Sequence, residues 1–166
     1  SFIGLGLLLA SLQGAVLAQQ TPLDRIEALQ ALSEKDKADA LNQLVALSPS
    51  MGSITPYAVR RDYLNALIGV QVDAAKMGDA DATIAKLQAL AQENKDDIGM
   101  VLATSRAASM MALAGKSEAA IVKLTAIEPI AFRTANPQAL WNFYSALGNA
   151  QLTVGRFELA LASALK

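Results

Sequence analysis

The chain has 166 residues, enough for one domain with a sizeable core. Its 14 Lys and Arg residues against 15 Asp and Glu leave a net charge of −1, which supplies no long-range field to attract nucleic acid. Cys and His are both absent, which removes thiol nucleophiles, disulfides, Cys/His metal sites and any Ser–His–Asp triad.

The first segment, SFIGLGLLLASLQGAVLAQQTP, carries no charge until Asp24. The apolar run Phe2 to Leu12 is followed by the weak break Gln13-Gly14 and the small-residue pattern Val16-Leu17-Ala18. That order is the order of a secretory signal peptide spanning 1–18 and cleaved after Ala18. An uncleaved N-terminal anchor is the alternative, since about 18 apolar residues just span a bilayer. Gly4, Gly6 and Gly14 favour the signal reading. Neither an initiator Met nor a basic region precedes the apolar run, so a start upstream is expected. Either way the rest, 19–166, is expected to be exported, on the periplasmic or extracytoplasmic face of the inner membrane.

Hydrophobic residues make up 53 % of the chain and aromatics only 5 %, with Ala and Leu dominant, so helix is favoured over strand. Leu23, Ile26, Leu29 and Leu32 trace one apolar helix face. After the charged bend Ser33 to Lys37, Ala40, Leu41, Leu44 and Leu47 continue it. Ser48 to Pro56 reads as a loop. Helical pattern then runs from about Tyr57 to Met77, and after Gly78-Asp79 to about Asn94. A further pair covers 97–114 and 116–128, hinged at Gly115 and ended by Glu128-Pro129, because proline has no N–H to donate. Asn136-Pro137 is a helix start. The last pair is 138–154 and 156–166. No segment demands a strand.

The glycine hinges repeat. Five residues after Gly78, Gly115 and Gly155 stand Thr83, Ala120 and Ala160; six after stand Ile84, Ile121 and Leu161. Lys86-Leu87 and Lys123-Leu124 share a place in the first two, and Ala40-Leu41 gives a fainter copy counted from Lys35. The hinges lie 37 and 40 residues apart, a spacing of stacked helix pairs.

The stretch ALGNAQLTVGRFELAL resembles a tetratricopeptide repeat. Tyr144-x-x-Leu147-Gly148 matches the first-helix pattern, Gly155-Arg156-Phe157 the turn and following aromatic, and Ala160 the small second-helix position. Gln151 and Ala164 depart from it, standing where an aromatic and a large apolar residue are usual. The resemblance implies an all-α fold, a right-handed α-solenoid of stacked antiparallel helix hairpins, with the last repeat cut short at Lys166. It also implies a concave groove lined by the first helix of each pair. Carried over residue by residue, that groove is faced by Asn65, Ser105, Ser109, Asn142, Ser145 and Asn149. Asn149 matches a place where some members hold a peptide backbone, whereas Ser145 stands where those binding acidic chain ends carry lysine.

Other residue groups have plain structural uses. The acidic clusters Glu34/Asp36/Asp39, Asp79/Asp81 and Asp96/Asp97 are read as helix N-terminal caps and dipole partners, not paired catalytic carboxylates. Arg60-Arg61-Asp62 is read as solvated or bridged. Trp141, Phe143 and Tyr144, like Met100, Met110 and Met111, are read chiefly as packing. Glu93, Glu118, Glu128 and Glu158 fall near helix ends or exposed faces, so no buried acid for glycan cleavage is expected.

Without catalytic residue types, the expectation is a non-catalytic module that binds a protein or peptide. No cofactor, no metal site and no nucleic-acid partner is expected, and membrane association only through the N-terminal segment or a region beyond Lys166. The layout is similar to the extracytoplasmic repeat regions of bacterial membrane signalling proteins such as diguanylate cyclases, which implies a sensory input region. A free-standing periplasmic scaffold for envelope assembly is the alternative.

Overall fold

The computed structural model describes residues 21–52 and 55–166, and within them the protein is all-α. The expected signal segment at 1–18 lies outside the described residues. The helices are α1 (Pro22–Ser33), α2 (Lys37–Leu47), α3 (Tyr57–Asp73), α4 (Met77–Asn94), α5 (Asp97–Leu113), α6 (Ser117–Thr134), α7 (Pro137–Thr153) and α8 (Phe157–Ala164), with a 3-10 turn at Ser48–Ser50. None of them is long and apolar enough to cross a membrane.

A strict 40-residue interval organises the fold. Ala40, Ala80, Ala120 and Ala160 are all buried where the second helix of each pair meets the first. A backbone N–H at each of them caps its helix on the carbonyl four residues earlier, at Asp36, Lys76, Lys116 and Arg156. Left-handed backbone occurs at Ala75, Lys95, Gly115, Ala135 and Gly155, one residue in every twenty. The turns at 75, 115 and 155 close alike: Lys76, Lys116 and Arg156 each donate from the backbone to the carbonyl of Gln71, Met111 and Gln151, five residues back. This is the hydrogen-bond pattern that ends a helix on a left-handed residue.

Two expectations need correction here. The first hinge is Ala75 (φ 58), and Gly78 lies inside the first turn of α4. Backbone bonds at both sides of the turn hold Ala75 left-handed despite its Cβ, so glycine was a misleading marker. The true equivalents of Ala120 and Ala160 are therefore Ala80 and Ala40, and Lys86 and Lys123 do not share a repeat position. The second correction concerns Pro129. Helix α6 runs through it to Thr134. Thr125 and Pro129 are exposed, so water can satisfy the carbonyl that proline leaves without a donor. Ile127, Ile130 and Ala131, packed in or against the core, hold the helix beyond it.

Packing is local. Each helix packs on the next in sequence, and α1, α3, α5 and α7 also pack on one another in order, whereas α2, α4, α6 and α8 do not. Helix α3 divides two apolar clusters. Tyr63, Ala66, Leu67 and Val70 join α1 and α2 around Ile26 and Leu44, while Ile68 faces the larger cluster that continues to Phe143 and Ala150.

Candidate functional site

Asn136 caps α7 by accepting from the Ala139 N–H at 2.9 Å, and Pro137 occupies its first turn. One side of α7 carries Ala139, Phe143, Ala146 and Ala150 into the core. Tyr144 packs edge-on against Phe143, with ring centroids 5.0 Å apart at 79°. On the other side a cleft of about 710 Å³ opens between α7 and α8. Trp141, Leu140, Tyr144 and Leu152 give it apolar wall, while Ser145, Asn149 and Ser163 give it hydrogen-bonding groups. Gly148 lets α8 come close: a Cβ there would stand 3.6 Å from the Ala160 carbonyl oxygen. Lys166 crosses one edge, with Nζ 5.2 Å from the Tyr144 ring centroid and 3.5 Å from Glu128.

The repeat shows what is special about this face. Trp141 is 69 % exposed, while Val101, forty residues earlier, is fully buried. Leu161 is 63 % exposed against 7 % for Ile121, and Ala164 is exposed where Leu124, Ile84 and Leu44 are buried. Between α5 and α7 the same face is closed by the following helix pair; on α7 and α8, the last described pair, no described residue covers it.

The six groove candidates divide. Asn65, Ser105 and Ser145 occupy one repeat position, and Ser109 and Asn149 another, on α3, α5 and α7. Ser145 and Asn149 line the cleft. Ser109 is half-buried on α5. Asn65 and Ser105 are buried between helices, and the Asn65 Nδ2 and Ser105 Oγ have no hydrogen-bond partner. Asn142 is buried too, with its amide donating to the Gln138 carbonyl at 2.8 Å.

The acidic clusters sit at helix starts. Asp36 accepts from the Asp39 N–H, and Asp96 accepts from the Ile98 and Gly99 N–H groups at 2.9 and 3.0 Å. Asp97 pairs with Arg133 at 2.7 Å on the surface. Asp96 does more. The Tyr57 hydroxyl donates to it at 2.5 Å, and Arg61 stands 3.4 Å away while also pairing with Asp62. Burial alone would raise the Asp96 pKa, but the Tyr57 and Gly99 hydrogen bonds and the Arg61 charge outweigh it, so the carboxyl lies below its usual value. Burial, then the bond to Asp96, raises the Tyr57 phenol. The trio ties the start of α3 to the start of α5. Arg60 instead faces a smaller cleft with Lys86, Leu64 and Leu67.

Sequence reasoning passed over Arg106. Its Nε–H donates to the Asn65 Oδ1 at 3.0 Å across α3 and α5, and its guanidinium lies on Gly69, where a Cβ would meet Nη2 at 3.3 Å. The signal was present: Arg106 interrupts a run of small residues at the position held by Ala66 and Ala146 in the adjoining repeats. Comparison with known proteins returns no match, neither to a family model nor to a curated protein sequence.

Proposed function

We propose that this chain is an exported, non-catalytic interaction module that binds a peptide segment of a partner protein. Its helix pairs stack as a right-handed tetratricopeptide-like solenoid of antiparallel hairpins, concave on the side of α3, α5 and α7. The packing supports this shape, because those helices touch one another while α4, α6 and α8 stay apart. In the full protein it forms the sensory input region of a longer bacterial membrane signalling protein, such as a diguanylate cyclase. The uncharged opening segment and the repeat support that placement.

The observation that carries the binding role is the open cleft beside Trp141. It combines a fluorescent aromatic, aliphatic wall and short uncharged hydrogen-bonding groups, the chemistry that takes an apolar peptide side chain with its backbone alongside. Trp141 is the sole tryptophan of the chain, so its emission reports occupancy of the cleft. Peptides selected from a random displayed library should shift that emission to the blue. Trp141→Phe would lose the signal, and Leu152→Ser should weaken binding by calorimetry at least tenfold. A library that yields no binder moving Trp141 emission overturns the reading.

A further inference from the structure

A second cleft, of about 250 Å³, lies on the side of α3 where α2 and α4 stand apart. It shares no lining residue with the α7–α8 cleft. Arg60 of α3 and Lys86 of α4 both line it, and no carboxylate does. Leu64, Leu67 and Leu90 supply apolar surface beside them. Neither cation has an ion pair among the described residues, whereas Arg61, Arg133, Arg156 and Lys166 each do. Residues 1–20, 53 and 54, outside the described range, contain no Asp or Glu to pair with them. Along their own helices no Asp or Glu stands three or four residues from either. Thr83 and Tyr63, which also line the cleft, direct their hydroxyl protons to the Asp79 and Leu44 carbonyls at 2.9 and 3.1 Å. The two cations are therefore its strong donors.

The Arg60 Nε is sealed from solvent and has no hydrogen-bond partner. A charged donor buried without an acceptor is costly. The fold does not need the cation pair, because one repeat on Met100 and Ala126 stand at the two places. The paired positive charges match a phosphate monoester, which carries about −1.5 to −2 at neutral pH and three acceptor oxygens. A carboxylate brings one charge and two oxygens. A guanidinium takes two phosphate oxygens side by side, and an ammonium adds a point charge. The cleft is smaller than the roughly 300–1,000 Å³ of sites for drug-sized ligands, so it suits a headgroup with a short apolar body.

We propose that this crevice binds a phosphate monoester joined to an apolar chain, with the phosphate on Arg60 and Lys86 and the chain on Leu64, Leu67 and Leu90. Two sources carry this chemistry: a soluble organic phosphate and the headgroup of phosphatidic acid in a membrane. The site does not rest on the peptide role proposed above. It uses other residues, and the response of Trp141 to peptides has no bearing on it.

Hexyl phosphate titrated into the full chain should bind saturably by calorimetry and move the Leu64 and Leu67 methyl signals in carbon–proton NMR. Hexyl sulfate, the same shape with one charge, should bind at least tenfold more weakly. Arg60→Gln and Lys86→Gln should each weaken hexyl phosphate at least tenfold, with an unchanged helical circular dichroism spectrum. Lys123→Gln, at an exposed position of α6, should leave binding as it is. Phosphatidylcholine vesicles with and without phosphatidic acid separate the sources. Co-sedimentation that requires phosphatidic acid and is lost in Arg60→Gln assigns the lipid, and hexyl phosphate binding without it assigns a soluble molecule. Equal affinity for the phosphate and the sulfate overturns the proposal. So does binding that survives both substitutions, or the absence of both hexyl phosphate binding and phosphatidic-acid-dependent sedimentation. If Arg60→Gln misfolds, Lys86→Gln, at an exposed position, and the phosphate–sulfate comparison on the parent chain still decide.

Discussion

The α3–α5 junction and the α5–α7 junction occupy the same place in successive repeats and are built from opposite chemistry. At the first, Tyr57, Arg61 and Asp96 form a hydrogen-bonded trio, Gly99 makes room beneath it, and Arg106 leans on Asn65 and Gly69. Forty residues on, these positions are Asp97, Val101, Asn136, Ala139, Ala146, Ser105 and Ser109: Asp97 pairs with Arg133 of α6, Asn136 caps α7, and among the described residues no ion pair joins α5 to α7. The pairing teaches that a repeat backbone tolerates either solution. What differs is the penalty for error. An apolar junction fails in proportion to the volume removed, a polar one through whichever group is left without its partner.

The largest expected break is in the apolar junction. Phe143 is fully buried, and Phe143→Ala should destabilise by about 3–5 kcal/mol in denaturant titration. In the polar junction, Gly99→Ala brings a Cβ within 2.8 Å of Ala91 and 2.9 Å of Asp96. Overpacking there should cost about 1–3 kcal/mol, although Ala139 is native at the equivalent position. A neutral result would mean that the trio adjusts freely. The two caps come next. Asp96→Ala should cost about 2 kcal/mol and Asn136→Ala about 1 kcal/mol, because only the first also frees Tyr57 and Arg61.

That difference has a pH signature. The Asp96 pKa is lowered on folding, so its stabilisation is fully present above the ordinary value of 3.8 and is lost as pH falls below it. Thermal melts between pH 5 and pH 2 should show a smaller acid-side loss in Asp96→Asn than in the parent, whereas Asn136→Ala, which removes a neutral cap, should keep the parent's acid-side loss. The smallest effect lies in the turns behind the junctions. Ala75→Gly should stabilise by about 1 kcal/mol and Gly115→Ala should destabilise by a similar amount, since both positions are left-handed.

Much of the fold was legible from residue order. The Asn136-Pro137 start, the turns at Gly115 and Gly155, and the caps at Asp36 and Asp96 each act through bonds within a few residues of themselves. Ala75 was not legible, because its left-handed backbone is imposed by hydrogen bonds closing around it and not by its own side chain. Pro129 misled for the converse reason: its local preference for ending a helix loses to core packing on either side. Of the site, Ser145 and Asn149 could be placed by the repeat pattern, and they line the cleft. The burial of Asn65 and Asn142 and the seat of Arg106 depend on contacts between helices about forty residues apart or on packing depth, which periodicity alone does not register.

The restriction of every helix to partners one or two places away in sequence has a kinetic side. Contacts of short sequence separation close small loops, so little chain entropy is lost before each is rewarded. Folding can begin at any helix pair and spread outward by addition of neighbours, and opening can begin at either end without disturbing the middle. Among the described pairs, α3–α4 and α5–α6, held by neighbours on both sides, should be the last to exchange their amide hydrogens.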